Sequence, residues 1–466
     1  MNQSLVVVFF VILALLWGML VPLRIRNKIM PWALCLLLFN GACSAVMTGL
    51  LRAFYAIGNY SSFAILNNGY DVGRLNRNLT WRCFLVFWAY MVLSCFLGSY
   101  VYEGVFFWFN VLFTSFSVGY FLSTWVMRTE GALGKLLWSV TLISCFIMLV
   151  YLQKGGLAVV ETTNPLNMES ARAGLNEDYL ADELAQNVNS VALQMLCLIP
   201  WLLVAMLFDV RSRHRKFLRV IAGICLVLAG IVLVRTGARN GAVGLLPSIW
   251  YFLFSATKSL ERWKRFAAFA LLSVVFCVAV AFVMRDAPLR FINFFVEQET
   301  SGYRTTEDAI TSGRVGMWQR QWEMMSPVQK IFGRGMATYD VSAQTGRVHA
   351  GNAHSMFMTV FYNSGFVGIA LFAVVVFLCV KHGFKCGDRG RIALLFIGTW
   401  FFSGAGESWG MIGGTTALLA GFGMGLLIDK RQITNSEFLR ARSVLPVLIS
   451  DIHNREVRLG LVGRGK

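Results

Sequence analysis

The chain has 466 residues, of which 57% are hydrophobic and only 14% are charged, and its mean hydropathy is +0.61. A soluble protein of this length needs far more polar surface, so the composition excludes a soluble globular protein. The formal net charge is +18. We assign most of that charge to loops and a tail that face anionic lipid headgroups, so no nucleic-acid partner is needed to explain it.

Long apolar segments follow one another along most of the sequence, and runs of about 20 such residues can cross a bilayer as helices. The sequence therefore predicts an all-α, polytopic membrane protein with about twelve transmembrane helices and a large outer loop that contains short helices. The predicted spans are 4–22, 30–51, 83–103, 105–127, 136–153, 189–210, 219–235, 239–256, 266–285, 355–380, 392–406 and 409–428. Two pairs of spans abut, at Glu103–Gly104 and around Glu407–Trp409, and each pair is predicted to form a tight hairpin.

The distribution of Lys and Arg predicts the orientation, because cytoplasmic loops carry an excess of both residues. With a cytoplasmic N-terminus, most of the 42 basic residues face the cytoplasm. The first loop violates the rule, since it puts Arg24, Arg26 and Lys28 on the other side. The sequence therefore leaves the orientation of the first two spans open.

The spans divide the chain into four parts. Residues 1–285 hold the first nine spans, with an acidic periplasmic loop at 154–188, and residues 286–354 form a large periplasmic loop. Residues 355–428 hold the last three spans. Residues 429–466 form a basic cytoplasmic tail, which we interpret as a membrane-surface anchor or a disordered end.

The loop at 154–188 is acidic. Its acidic residues are Glu161, Glu169, Glu177, Asp178, Asp182 and Glu183. The segment "NEDYLADELAQ" is compatible with a short surface helix capped by Asn176. A solvated loop and a lid over a site both remain open for this segment.

Basic residues on the predicted outer side are mostly arginine. Arg235 and Arg239 lie where the seventh and eighth spans meet, and the large loop carries Arg285, Arg290, Arg304, Arg314, Arg320, Lys330, Arg334 and Arg347. Arginine stays charged in poorly hydrated places and binds phosphate through a planar fork of donors. The cluster therefore suggests a pocket for an anionic lipid headgroup. The alternative is that single arginine side chains only extend to the membrane interface. This alternative explains Arg239 less well, because small residues flank it.

The large loop contains one segment with helical periodicity, "EDAITSGRVGMWQRQWEMM". Its apolar residues are Ile310, Val315, Trp318, Trp322 and Met325. Their spacing predicts an amphipathic helix, or a pair of helices, on the outer membrane face. Pro327 is expected to end it, and "FGRGMATYD" predicts a turn.

A single histidine, His354, lies where polar sequence gives way to the tenth span. An unshifted imidazole titrates near pH 6.5 and is a usable base at neutral pH. His354 is therefore a candidate general base, although it could instead orient a substrate or bond a backbone carbonyl. His349 is a weaker candidate for the same role.

Metal and disulfide chemistry find no support in the motifs. The outer loops carry no HxH, DxD or HExxH set, and no CxxC occurs among the ten cysteines. The sequence therefore predicts neither a zinc site nor a disulfide framework, and no cofactor.

One ordered set of motifs resembles the signature region of the O-antigen ligase and exopolysaccharide polymerase superfamily of the bacterial inner membrane. It spans "TSGRVGMWQRQWEMMSPVQKIFGRGMATYD" and "NAHSMFMTVFYNSGFVG". The matching elements are Gly313-Arg314, Trp318, Pro327, Gly333, Gly335, Tyr339, His354, Gly365 and Gly368. "TGARNGAVGLL" is similar to the family's "SRG" helix start, with Arg239 in the arginine position. The family usually has His-Asn, whereas here Ser355 follows the histidine.

The resemblance implies an enzyme of the periplasmic face that joins a glycan on undecaprenyl pyrophosphate to an acceptor hydroxyl, without a metal. It implies that Arg239 and Arg314 stabilise the leaving pyrophosphate and that His354 is the base. The proposed substrate-binding residues are Arg235, Arg334, Arg347, His349, Trp318, Ser355 and Glu407. The implied partners are the lipid-linked donor, a glycan or lipid A-core acceptor, the bilayer and a candidate chain-length regulator protein.

Three classes of function fit a chain of this kind. The first is a glycosyl-joining enzyme, where chain size and the "GESW" segment at Glu407 favour a polymerase over an O-antigen ligase. The second is a flippase or transporter, which should carry ionisable groups within its spans, and these spans carry almost none. The third is a non-catalytic scaffold or sensor whose large loop is a docking surface.

Overall fold

The computed structural model describes residues 78–98, 101–108, 116–128, 131–153, 188–207, 214–235, 239–256, 314–335, 338–341, 348–350, 355–406 and 414–428. Its helices are α1 (Leu79–Ser94), α2 (Val101–Trp108), α3 (Ser117–Arg128), α4 (Ala132–Gln153), α5 (Val188–Leu207), α6 (Arg215–Arg235), α7 (Arg239–Ala256), α8 (Arg314–Met324), α9 (Pro327–Phe332), α10 (Met356–Lys385), α11 (Gly387–Gly406) and α12 (Gly414–Ile428). The predicted helical class is confirmed for this part of the chain.

One small element was not predicted. Strands β1 (Thr338–Val341) and β2 (Val348–Ala350) form a two-stranded antiparallel ribbon in which Asp340 lies opposite His349. Each strand has only three or four residues, too few for an alternating pattern to be recognised in the sequence.

Four helices in the described ranges are long and apolar enough to cross a membrane: Leu79–Leu97, Ala132–Leu149, Arg215–Leu233 and Met356–Lys385. They overlap the predicted spans 83–103, 136–153, 219–235 and 355–380, with bounds that differ by one to six residues. Shorter apolar helices at Ala192–Leu207, Val243–Ser255 and Ala417–Ile428 fall within three more predicted spans. The predicted spans 4–22, 30–51 and 266–285, the loop around Asn176 and the tail 429–466 lie outside the described residues.

The predicted hairpin at Glu103–Gly104 is wrong. Helix α1 ends at Ser94, a one-turn 3-10 helix follows at Cys95–Leu97, and the chain becomes extended at Gly98. Helix α2 then runs through both Glu103 and Gly104. A single carboxylate in an apolar segment does not end a helix, and the break lies where glycine weakens the helical conformation.

Aromatic side chains join the central helices. The Trp201 ring on α5 lies 4.5 Å from the Phe396 ring on α11 and 4.6 Å from the Phe422 ring on α12. The Phe116 ring meets the Trp400 ring edge-on at 5.6 Å. These buried contacts hold α5, α11 and α12 together as the core against which the outer helices pack.

One end of the bundle is defined by contacts around the end of α10, and we call it the Lys385 end. The Thr80 hydroxyl lies 2.9 Å from His382 Nδ1, so α1 begins beside the last turns of α10. The Arg391 guanidinium lies 4.4 Å from the centre of the Phe254 ring, which joins the start of α11 to the end of α7.

The opposite end, where α10 begins, is called the Ser355 end. Gly404 near the end of α11 packs directly against Met356. Because α7 and α11 run antiparallel, α7 begins at this end as well, and Gly241 in its first turn packs against Leu233 near the end of α6. The Ser355 end therefore gathers the starts of α7, α10 and α12 with the ends of α1, α6 and α11.

Candidate functional site

Helix α8 is attached to the first turns of α10 at the Ser355 end. The Tyr362 hydroxyl donates a 2.8 Å hydrogen bond to the carbonyl of Trp318. The Trp322 ring stacks on the Phe361 ring at 5.4 Å. Met325, Phe361 and Tyr362 form a small buried cluster against which the Trp318 ring packs. The amphipathic helix predicted in the large loop is confirmed over α8, and its apolar side lies on α10.

Helix α9 begins where the sequence was expected to end a helix. Helix α8 ends at Met324, and Pro327 occupies the first turn of α9, where its missing N–H is harmless. Ser326 caps α9 by accepting a hydrogen bond from the Gln329 backbone, while the Gln329 side chain accepts one from the Ser326 backbone. The proline therefore marks a new helix as well as the end of the previous one.

Helix α10 is broken at Gly365, whose backbone angles are φ 63° and ψ −162°. An unbroken helix would use the carbonyls of Tyr362 and Asn363 for its own hydrogen bonds. Here the carbonyl of Tyr362 accepts from the backbone N–H of Arg334 at 2.9 Å, and the carbonyl of Asn363 accepts from Gly335 at 3.1 Å. The turn Gly333–Gly335 thus caps a break inside α10, and we call this arrangement the backbone joint.

Glycine is required on both sides of the backbone joint. Gly333 and Gly335 have positive φ angles of 91° and 63°, a region that other residues rarely adopt. A Cβ on Gly365 would overlap the carbonyl of Ile331, and one on Gly333 would overlap the carbonyl of Asn363. The glycines of the two motifs are therefore in direct contact across 30 residues of sequence.

The backbone joint also contacts α1. The Tyr90 hydroxyl donates a 3.1 Å hydrogen bond to the carbonyl of Phe332. A Cβ on Gly335 would lie 2.5 Å from the backbone nitrogen of Gly98 and 2.6 Å from the carbonyl oxygen of Ser94. The turn is therefore enclosed between the end of α1 and the break in α10. Arg334 itself is half-buried.

The structure describes the backbone at several predicted site residues. Arg235 ends α6, Arg239 begins α7 and Arg314 begins α8. Helices α6 and α7 bring the first two of these positions to the Ser355 end, and the Trp318 and Trp322 contacts bring α8 there. His349 lies in β2. His354, Arg347 and Glu407 lie outside the described residues.

Ser355 precedes α10 in an extended conformation and is buried, with 3% of its surface exposed. Its carbonyl accepts two hydrogen bonds from Thr359, one from the backbone N–H at 2.9 Å and one from the hydroxyl at 2.8 Å. These bonds fix the point at which the chain leaves His354 and enters α10.

One segment of the chain, which includes these elements, is similar to a known protein family. Residues 224–373 match the family model described as O-antigen ligase. Over this segment the chain resembles the O-antigen ligase family. This confirms the resemblance predicted from the motifs. No curated protein and no solved structure matches the chain.

The matched O-antigen ligase segment begins within α6 and ends within α10, so it contains both sides of the backbone joint. It also contains Arg235, Arg239 and Arg314. This match, together with the apolar helices, supports a membrane protein that contains a segment similar to O-antigen ligase.

Sequence reasoning missed Tyr362 and the break at Gly365. The signal was present as the polar triplet Asn363-Ser364-Gly365, which interrupts an otherwise apolar segment. Polar residues inside a membrane helix are costly unless they face protein or a broken backbone. Asn363 and Ser364 are both buried here, with no exposed surface.

Proposed function

We propose that the protein is a polysaccharide polymerase that joins undecaprenyl-pyrophosphate-linked oligosaccharide repeats on the periplasmic face of the bacterial inner membrane, without a metal. The main support is the position of the O-antigen ligase motifs. Arg239 begins α7, which starts at the Ser355 end, and Arg314 begins α8, which is attached to the first turns of α10 at the same end. The backbone N–H of Arg334 is bonded to α10 as well.

The reaction is a substitution at the anomeric carbon of the donor. The acceptor hydroxyl oxygen attacks C1, the bond from C1 to the pyrophosphate oxygen breaks, and its electron pair remains on the lipid pyrophosphate. His354 takes the proton of the acceptor hydroxyl as the new bond forms, a contribution of roughly 10²–10⁴-fold in rate. The product is a longer glycan on one lipid carrier and a free lipid pyrophosphate.

The developing negative charge needs fixed positive groups. Guanidinium groups of Arg239 and Arg314 supply them in this proposal, because a preorganised cation lowers the barrier without rearranging as the charge appears. Helices α7 and α10 also begin at the Ser355 end, and the N-terminus of a helix carries a partial positive charge that favours anions. Both features support an anionic substrate group at this end.

Arg334 is proposed as a further phosphate ligand. Two backbone hydrogen bonds and two glycines fix its main chain, so its side chain starts from a rigid point. The remaining proposed substrate-binding residues are Arg235, Arg347, His349, Trp318, Ser355 and Glu407. Of these, Trp318 contributes by its packing, since its carbonyl and ring attach α8 to α10.

The second candidate is an O-antigen ligase that transfers the lipid-linked glycan to lipid A core, and the description of the matching family favours it. A flippase or transporter of lipid-linked saccharide is the candidate from another class. Chain size and the acidic residue Glu407 between the last two predicted spans are the reasons for proposing the polymerase first.

The glycan profile of a strain that lacks this protein separates these functions. A polymerase defect leaves single repeats attached to lipid A, whereas a ligase defect leaves no repeat attached at all. A transporter would accumulate translocated but unjoined saccharide in reconstituted vesicles that receive donor alone. Complementation with the intact gene and with Arg314→Ala is the matched control, since only the intact gene should restore long chains.

A further inference from the structure

We propose that α9 is inserted into the bilayer at the Ser355 end, with its exposed face against lipid acyl chains, rather than resting in water above the membrane. This inference concerns the surface around the backbone joint and does not depend on which glycan the enzyme joins.

The exposed face of α9 is strongly apolar. None of the six residues of α9 is buried. Val328 is 65% exposed, Ile331 is 47% exposed and Phe332 is 48% exposed, and Met324 at the end of α8 adds a further 57%. A short helix that presents this much apolar side chain to water would be unfavourable, because burial in an apolar medium is worth about 25 cal/mol per Å².

This face is continuous with surfaces of the membrane spans. The hydrogen bond from Tyr90 to Phe332 places α9 beside the last turns of α1. That part of α1 and its 3-10 extension expose Leu93, Phe96 and Leu97, each by more than half of its surface. On the other side, Phe366 of α10 is 53% exposed and meets the Trp322 ring. An apolar band therefore runs from α1 across α9 to α10.

The depth of α9 follows from the lengths of the helices that flank it. The 16 residues of α1 rise about 24 Å, and the part of α10 after Gly365 rises about 30 Å. The hydrocarbon core is about 30 Å thick, so with the Lys385 end at one of its boundaries, Ser94 and Gly365 lie near the opposite boundary. Helix α9 contacts Tyr90, one helical turn before Ser94, which puts its face on the hydrocarbon side of that boundary.

The charged groups nearby are arranged as at a membrane interface. The Lys330 ammonium lies 4.4 Å from the centre of the Trp322 ring, an aromatic and cationic pair that suits the headgroup region. Gln319 and Glu323 form a 3.2 Å hydrogen bond on the exposed side of α8. The exposed side of α8 at Gln319 and Glu323 is therefore polar, whereas the exposed face of α9 is apolar. The boundary between water and lipid passes between these two faces.

Nitroxide accessibility in liposomes tests the proposal. Val328→Cys and Phe332→Cys would be spin-labelled and reconstituted, with Glu323→Cys as the control for the polar side and the unsubstituted protein as the background from native thiols. We expect collisions with dissolved oxygen to exceed collisions with a water-soluble nickel complex at positions 328 and 332, and the ratio to be several-fold lower at position 323.

Three results would overturn the proposal. Greater access for nickel than for oxygen at positions 328 and 332 would place α9 in water. Low access for both reagents would show that another segment of the chain covers the face. Dipolar broadening between labels would show that a second copy covers it. Since Val328 is more exposed than Phe332, its substitution should be tolerated even if that of Phe332 is not.

Discussion

The backbone N–H of Arg334 donates a hydrogen bond to the carbonyl of Tyr362, and Gly365 makes that carbonyl available by breaking α10. The large loop is therefore joined to the membrane helix through main-chain atoms. Any movement of α9 must move Arg334 with it, and the start of α10 beyond the break is tied to the same turn.

Substitution of Gly365 by Ala should damage the backbone joint. Its positive φ is strained for any residue with a Cβ, at a cost of about 1–3 kcal/mol, and the new methyl group would overlap the carbonyl of Ile331. We expect a lower unfolding temperature in detergent and a large loss of glycan product. Gly230→Ala in α6 is the matched control, because a Cβ there meets nothing within 4 Å. Equal behaviour of the two variants would contradict the importance of the break.

Removing the Tyr362 hydroxyl should loosen α8. Tyr362→Phe keeps the buried ring and deletes one hydrogen bond to the Trp318 carbonyl, which costs about 1 kcal/mol of stability. Because Arg314 begins α8, we expect weaker donor binding and reduced turnover from a variant that still folds. Donor affinity and product formation measured on purified protein check this, and an unchanged donor affinity would show that α8 needs no such attachment.

Arg239→Ala and Arg314→Ala should abolish long glycan chains while the protein still inserts. The loss of one charge-stabilising donor costs roughly 10²–10³-fold in kcat. Arg314→Lys should recover only part of the activity, since lysine lacks the planar fork. Lys385→Ala at the opposite end of the bundle is the control and should leave chain length unchanged. Normal chain lengths from either arginine variant would remove its proposed role.

His354→Ala should lose turnover and keep donor binding. A general base must be unprotonated, so the activity of the intact enzyme should fall at acid pH, where the base becomes protonated. The residual activity of the variant should lack that fall. His349→Ala is the comparison, and a pH profile that survives in His354→Ala but disappears in His349→Ala would reverse the assignment.

Chelation of divalent metals should leave activity intact. If arginine groups alone stabilise the leaving pyrophosphate, enzyme treated with EDTA should form product at the rate of untreated enzyme. A strict requirement for added divalent cations would contradict the metal-independent scheme, while the effect of Arg314→Ala would still report on the arginine.

The apolar segments and the family relationship could be predicted from sequence, because both depend on residue types along the chain. Four predicted spans match helices within a few residues, and the segment around Gly313-Arg314 and Gly333 lies within the matched family region. The meaning of Gly365 could not be predicted in the same way. The polar triplet before Phe366 marks an irregular place but not its geometry, because the reason for the φ angle of Gly365 is a turn that lies 30 residues earlier.

The wrong prediction of a hairpin at Glu103–Gly104 arose because one local feature of the sequence was given too much weight. A charge in an apolar segment suggested a loop, but a helix satisfies its own backbone wherever it runs, and only the side chain of Glu103 needs a polar environment. The ribbon of β1 and β2 was missed because its pairing depends on two segments that meet only in the folded chain.

A connection built from main-chain atoms has a practical advantage for protein engineering. The hydrogen bond from position 334 to the carbonyl of Tyr362 uses the backbone N–H, so replacements other than proline retain that donor. A library of replacements at this one site could therefore retune which sugar or phosphate is preferred, on a scaffold whose geometry stays constant from one member to the next.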